Sequence, residues 1–147
     1  MATTPPSQAP SFEQQLSFLN WEMGTSNGGN VASEYQNNPS MTVSQAATAF
    51  ENKFERSGGS ALTTRINNAE DVFTASRNGT LTSISPNVSN AYNYFAGLGY
   101  SPQQASGIVG NLMAESGRSL DPAAFNSAGG GKGAFGIAQW RADRQSN

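Results

Sequence analysis

The strongest constraint on this chain is a helix whose two ends are both written in its residues: S-P-Q-Q-A-S-G-I-V-G-N-L-M-A-E-S-G, residues 101–117. Ser101 reads as the N-cap, Pro102 suits the first helical position, and Gln104, three residues after the cap, completes a capping box. Gly117 supplies the stop. Between them Ala105, Ile108, Val109 and Leu112 recur at helical spacing and form an apolar stripe for a core. At about 100° per residue, Glu115 falls on the flank of that stripe one turn beyond Leu112, which predicts a carboxylate at the rim of the core. A carboxylate held against apolar side chains loses hydration; this disfavours the charged form and suits the group to donate a proton near neutrality. A Glu in a last helical turn is also commonly a solvated surface residue, so geometry alone leaves both readings open.

The same logic, applied along the chain, predicts a succession of amphipathic helices. Residues 1–11 are rich in Pro, Ser and Thr and offer almost nothing to bury, which predicts a flexible arm. Phe12, Leu16, Leu19 and Met23 mark a helix over 12–23, ended by Gly24. Residues 31–40 are ambiguous, with Tyr35 read as a core anchor ahead of a sugar-stacking ring. Thr42 with Gln45 opens another helix, whose buried side is Ala46, Ala47, Ala49, Phe50 and Phe54. Leu62, Ile66, Ala69 and Phe73 predict a helix running to about Ala75. Residues 76–87 read as a linker with a short strand at 80–84, and Val88, Ala91, Tyr92, Phe95 and Leu98 give a further helix before Gly99.

Composition limits the chemistry available. Charged residues make up 12% of the 147 and the formal charge is -2, so the basic footprint of a nucleic-acid binder is missing. With no Cys and no His, thiol nucleophiles, His-based triads and ordinary zinc sites are excluded, and neither a metal nor a cofactor is expected. Any catalysis must come from carboxylates, hydroxyls, amides or Lys. No apolar run reaches the roughly 18 residues of a membrane span, so membrane insertion is not expected, nor is a signal peptide. The G-G-G-K-G turn at 129–133 lacks the upstream Gly and the following Ser or Thr of a phosphate loop. It suits the rim of a cleft, where glycines allow tight turns and close approach of a polymer.

The motifs A-E-S-G at 114–117, D-P-A-A at 121–124, the glycine-rich turn, G-A-F-G-I-A-Q-W at 133–140 and D-R at 143–144 stand in one order that resembles the phage tail lysozyme family. That family looks distantly related to goose-type lysozymes and soluble lytic transglycosylases. The resemblance implies a mainly α, lysozyme-like domain with at most a small β element near 80–84 or 134–138. It also implies that Glu115 is the catalytic acid and that Gly136, Ile137, Ala138, Gln139 and Trp140 form part of the substrate wall. Ser116 would orient Glu115 or meet substrate, and Phe135 and Trp140 offer apolar faces to sugar rings, although Trp140 reads equally well as a core aromatic.

The family's halves stand here in exchanged order. Gln15, Leu16, Phe18, Leu19 and Glu22, then Ala46 to Phe50, then Phe54, Glu55 and Arg56 resemble its C-terminal part, yet they precede the Glu115 segment. This reads as a circular permutation: a single domain over 12–147, with 12–75 as the family's second half, 76–87 as the joint and 88–147 as its first half. A window on tandem domains would give the same order.

The implied reaction is cleavage of the bond between N-acetylmuramic acid and N-acetylglucosamine in peptidoglycan, which needs an acid on the leaving oxygen and a group to stabilise an oxocarbenium-like centre. Asp121, Asp143, Glu22 and Glu55 are the carboxylate candidates for the second role. Each also has a plainer reading, as a turn residue, an ion-pair partner or helix surface. A lytic transglycosylase can dispense with that carboxylate because the substrate's own muramyl hydroxyl attacks. A non-catalytic virion module that only holds glycan is the reading from another class. A phage virion or tail, or the host periplasm after delivery without a signal peptide, is the expected location, with other tail proteins as further partners.

Overall fold

The computed structural model describes residues 11–56, 58–59, 61–122, 125–126, 134–135, 137 and 140–141. Among them the chain forms α1 (Phe12–Met23), α2 (Val31–Asn37), α3 (Val43–Phe50), α4 (Leu62–Asn78), α5 (Leu81–Ile84), α6 (Pro86–Gly97) and α7 (Pro102–Ser116). A π-helical turn, Glu51–Glu55, continues α3, and three two-residue strands follow α7: β1 (Phe125–Asn126), β2 (Ala134–Phe135) and β3 (Trp140–Arg141). The strands are antiparallel in the order β1-β2-β3, with Phe125 opposite Phe135 and Phe135 opposite Trp140. The domain is mainly α, as the periodicity predicts.

Local chemistry explains most of the boundaries. Ser11, Thr42 and Ser101 each accept a hydrogen bond from the backbone N–H of the Gln three residues on, and each Gln Oε1 accepts one from the backbone N–H of the cap. Of the expected arm over 1–11, Ser11 is described, and it is the cap of α1. Ser85 caps α6 and Pro86 occupies its first turn, so that helix starts two residues before the predicted Val88. The expected strand at 80–84 is instead the short helix α5, and α4 extends past Ala75 to Asn78, where Gly79 adopts a left-handed φ of 71°. Glycine takes that conformation without the steric cost met by other residues, so the stop lies at Gly79.

α7 is the axis of the molecule. Every residue from Gln104 to Met113 is buried, so the predicted stripe is in fact a cylinder enclosed on all sides. Two glycines allow this. A Cβ at Gly107 would lie 2.8 Å from the backbone of Ala46 and Ala47 in α3, and one at Gly110 would lie 2.5 Å from the backbone nitrogen of Ala69 in α4. The main chains of α3 and α4 therefore press directly on α7. Tyr35, Phe50, Phe54, Phe95 and Leu112 fill the surrounding core, each contributing about 1.5–3 kcal/mol through burial.

The buried face of α4 differs from the one its large apolar residues predict. Leu62, Ile66 and Phe73 are only partly covered, whereas Arg65, Asn68, Ala69, Val72 and Ala75 face inward. The helix is rotated because Arg65 and Asn68 find hydrogen-bond partners on α7 and small Ala69 permits the close approach to Gly110. Gly110→Ala should accordingly destabilise the fold by about 1–3 kcal/mol through overpacking, since the obstructing atoms are backbone. Thermal or urea denaturation measures it, and an unchanged midpoint would contradict this account of the α4–α7 contact.

Candidate active site

Glu115 lies in the last turn of α7, one turn beyond the enclosed segment, with 22% of its side chain exposed. Its Oε2 accepts a hydrogen bond from Arg65 Nη2. Sequence reading places apolar side chains around this carboxylate; the structure sets a guanidinium against it. Arg65 is only 4% exposed and has two further partners: Nη1 donates to Asn111 Oδ1 at 3.1 Å, and Nε lies 3.4 Å from Glu51 Oε1. Glu51 is 1% exposed, and its Oε2 accepts from the backbone N–H of Gly59 at 2.9 Å. Two carboxyl groups thus share one guanidinium.

The framework behind these groups is equally specific. Asn111 donates to Ala47 O at 3.0 Å and to Gly107 O at 2.9 Å, which fixes its amide so that Oδ1 faces Arg65. The π-turn after α3 places Glu51 inside, and the Arg56 N–H bonds back to Glu51 O at 2.6 Å. Arg118, just past Glu115, donates to Asn68 Oδ1 at 3.0 Å and to Asp71 Oδ2 at 3.3 Å, tying the end of α7 to α4 a second time.

The chain beyond Glu115 is pinned from two sides. Ser85 Oγ donates to Ser119 O and Asn87 Nδ2 donates to Leu120 O, both at 3.0 Å. Leu120, fully buried, sits at a left-handed φ of 55°, a strain its burial and these bonds offset. From α1, Gln15 Nε2 donates to Pro122 O at 2.8 Å while its Oε1 accepts from the Ile137 N–H at 2.8 Å. One buried amide therefore joins the first helix to both ends of the segment that carries β1 and β2.

The other sequence candidates divide clearly. Ser116 Oγ donates to Leu112 O at 2.9 Å, back along its own helix. Ile137 is fully buried, an anchor inside the turn between β2 and β3. Phe135 and Trp140 are backbone partners in the β2–β3 pairing. Gly136, Ala138, Gln139 and Asp143 lie outside the described residues. Glu22 is buried at the end of α1, Glu55 is half-buried in the π-turn and Asp121 is exposed. Sequence reading missed Glu51, Arg65 and Asn111. The available signal was a run of polar residues, Arg65 and Asn68, at the same helical spacing as Ala69 and Val72.

A family model described as phage tail lysozyme matches residues 3–75 and 86–147. No curated protein and no solved structure matches the chain.

Arg65→Met should cost about 3–5 kcal/mol, because it takes the guanidinium away from a carboxylate 1% exposed. Adding Glu51→Gln should restore part of that loss. Equilibrium denaturation of the single and double variants measures both, and a wild-type midpoint for Arg65→Met would show that the cluster does not hold the helices together.

Proposed function

The chain belongs to the phage tail lysozyme family, a family of peptidoglycan-lytic enzymes, and on that premise we propose that it cleaves the β-1,4 bond between N-acetylmuramic acid and N-acetylglucosamine with Glu115 as general acid. The supporting observation is the position of Glu115: it ends the central helix, is partly exposed, and is held on one oxygen by a buried arginine. With Oε2 occupied by Arg65, Oε1 is the oxygen that meets the leaving group, and fixing one oxygen orients the other. Arg65 acts as the positioning residue and Glu51 with Asn111 keeps it in place. The substrate wall that the family resemblance implies is Phe135, Gly136, Ile137, Ala138, Gln139 and Trp140, with Ser116 next to the acid in sequence; supporting it, the Ile137 N–H is tied to α1 through Gln15.

For the second catalytic group, Glu51 is linked to Glu115 through Arg65 but is too buried to meet a sugar. That observation favours a second reading alongside hydrolysis, in which the muramyl hydroxyl attacks and an anhydro sugar leaves. Of the carboxylates singled out in the sequence, Glu22 is buried as Glu51 is, which leaves Asp121, Asp143 and Glu55 as those by which hydrolysis would proceed instead. Delivery by a virion fits the family, and other tail proteins are proposed partners. Among the described residues no helix is long and apolar enough to cross a membrane.

Glu115→Gln should lower the rate of lysis of purified peptidoglycan by about 100-fold or more, the contribution of a general acid; because the change also removes a charge partner of Arg65, the denaturation midpoint is measured alongside and lysis is compared at a temperature where both proteins are folded. Retained lysis would end the assignment. Absence of lysis in the wild type would favour a glycan-holding virion module. Mass spectrometry of the products separates reducing ends from anhydro ends.

We also propose that the family's halves are permuted within one domain, 12–75 before 88–147 with 76–87 as the joint. Support comes from the two matching segments and from Gln15, which sets α1 beside Pro122 and Ile137 of the 88–147 segment. A protein recut between Gly79 and Thr80, with its original ends joined, should fold cooperatively and keep its lytic activity. A recut chain that aggregates or is inactive would count against the permuted order.

A further inference from the structure

A cavity of about 470 Å³ opens at the other end of α7, beside its Ser101 cap. At 1.5 Å per residue that cap lies about 20 Å along the helix from Glu115, so the two places are distinct. The cavity is built on a fixed frame. Gln104, buried at its floor, donates to Tyr35 O and Asn38 O, both at 2.9 Å, and Tyr35 donates its hydroxyl to Ala46 O at 2.6 Å. The Tyr100 ring stands edge-on to Tyr35 at 5.8 Å.

On that frame several polar groups remain open. The side chains of Asn20 and Gln36 and the hydroxyl of Tyr100 make no hydrogen bond among the described residues. Burial pushes the Tyr100 phenol up from its ordinary range, which keeps that hydroxyl a neutral donor. Leu98, 50% exposed, and Pro39 supply apolar surface beside these groups. Among the described residues, every side chain lining the cavity is uncharged.

Unspent amides and a hydroxyl next to apolar surface match a sugar ring, which has an apolar face and a rim of hydroxyl and N-acetyl groups. A peptide with free carboxylates or ammonium groups would bring charges that this lining cannot pair. We propose that the cavity is an accessory binding site for an uncharged N-acetylated saccharide, gripping the glycan strand away from the bond that is cut. The identity of the strand rests on the peptidoglycan reading above; the preference for a neutral saccharide rests on the cavity alone.

The test is an amide chemical-shift titration of the full-length Glu115→Gln protein with the β-1,4-linked trisaccharide of N-acetylglucosamine. Saturable shifts are expected at residues 20, 36 and 98–101, separate from any near residue 115. Asn20→Ala and Gln36→Ala should each weaken the cavity shifts by roughly fivefold, the effect of one lost hydrogen bond. Shifts confined to the region of residue 115, or cavity shifts produced by a charged stem peptide and not by the trisaccharide, would overturn the proposal. So would cavity shifts indifferent to both substitutions. The two readings fail separately: full lysis by Glu115→Gln with cavity shifts intact sinks only the catalytic assignment, and Glu115-dependent lysis without cavity shifts sinks only the accessory site.

Discussion

The structure depends on a guanidinium taken out of water. Arg65 is 4% exposed, and burying a lone charge of that kind costs several kcal/mol unless its hydrogen bonds and its charge are both answered. Asn111 and Glu115 of α7 answer from one side and Glu51 of the π-turn from another. The group that orients Glu115 is thus also the one that locks α4 to α7 and to the end of α3. The proposed acid and the fold draw on the same cluster, so a change at Arg65 cannot be assigned to catalysis without an independent measure of stability.

That cluster can form only because the helices are unusually close. Gly107 and Gly110 let the backbones of α3 and α4 rest on α7, with Ala46, Ala47 and Ala69 as the opposing surfaces. Arg65 stands one turn before Ala69, and Asn111 follows Gly110. The same close approach brings the Arg65 donors within reach of Asn111 and then Glu115. Small residues thereby determine a polar geometry. A larger side chain at either glycine would separate the helices and lengthen the contacts that hold the carboxylate.

Much of this was legible in the residues, for physical reasons that differ by element. Three capping boxes announced their helices because Ser or Thr followed three positions later by Gln satisfies two backbone groups locally, with no help from the rest of the fold. Glu115 stands out in the sequence because a carboxylate after an apolar run is conspicuous and because A-E-S-G carries the family resemblance; its place at the partly exposed end of α7 follows from the helical spacing. The rotation of α4 was not legible: hydrophobic periodicity weights Leu62, Ile66 and Phe73, whereas the helix turns by what Arg65 and Asn68 can bond to, and those partners lie more than 40 residues away on α7. Glu51 escaped for a similar reason: spacing from Ala47 turns it inward, but a carboxylate there has no local partner, and the Arg65 guanidinium and Gly59 N–H that accommodate it come from farther along the chain. Residues 80–84 illustrate the reverse error. Alternation over so short a run is weak evidence for a strand, and Ser85 with Pro86 organises the backbone there as a helix junction.

α7 also explains why the two ends of the molecule differ in chemistry. Its interior is enclosed by backbone and apolar side chains, so polar groups are accessible only where the helix emerges. At its C-terminal end the helix meets charged groups: Glu115 is held by Arg65, and Arg118 just beyond it bonds to Asn68 and Asp71. At its N-terminal end the orphan N–H groups are already met by Ser101 and the capping box, and Gln104 is spent on Tyr35 and Asn38. What remains open there is neutral: amides, a phenol and apolar surface. A polymer with one chemically reactive linkage and many neutral rings is the kind of ligand that could use both ends of such a helix at once, the charged end for the bond and the neutral end for grip.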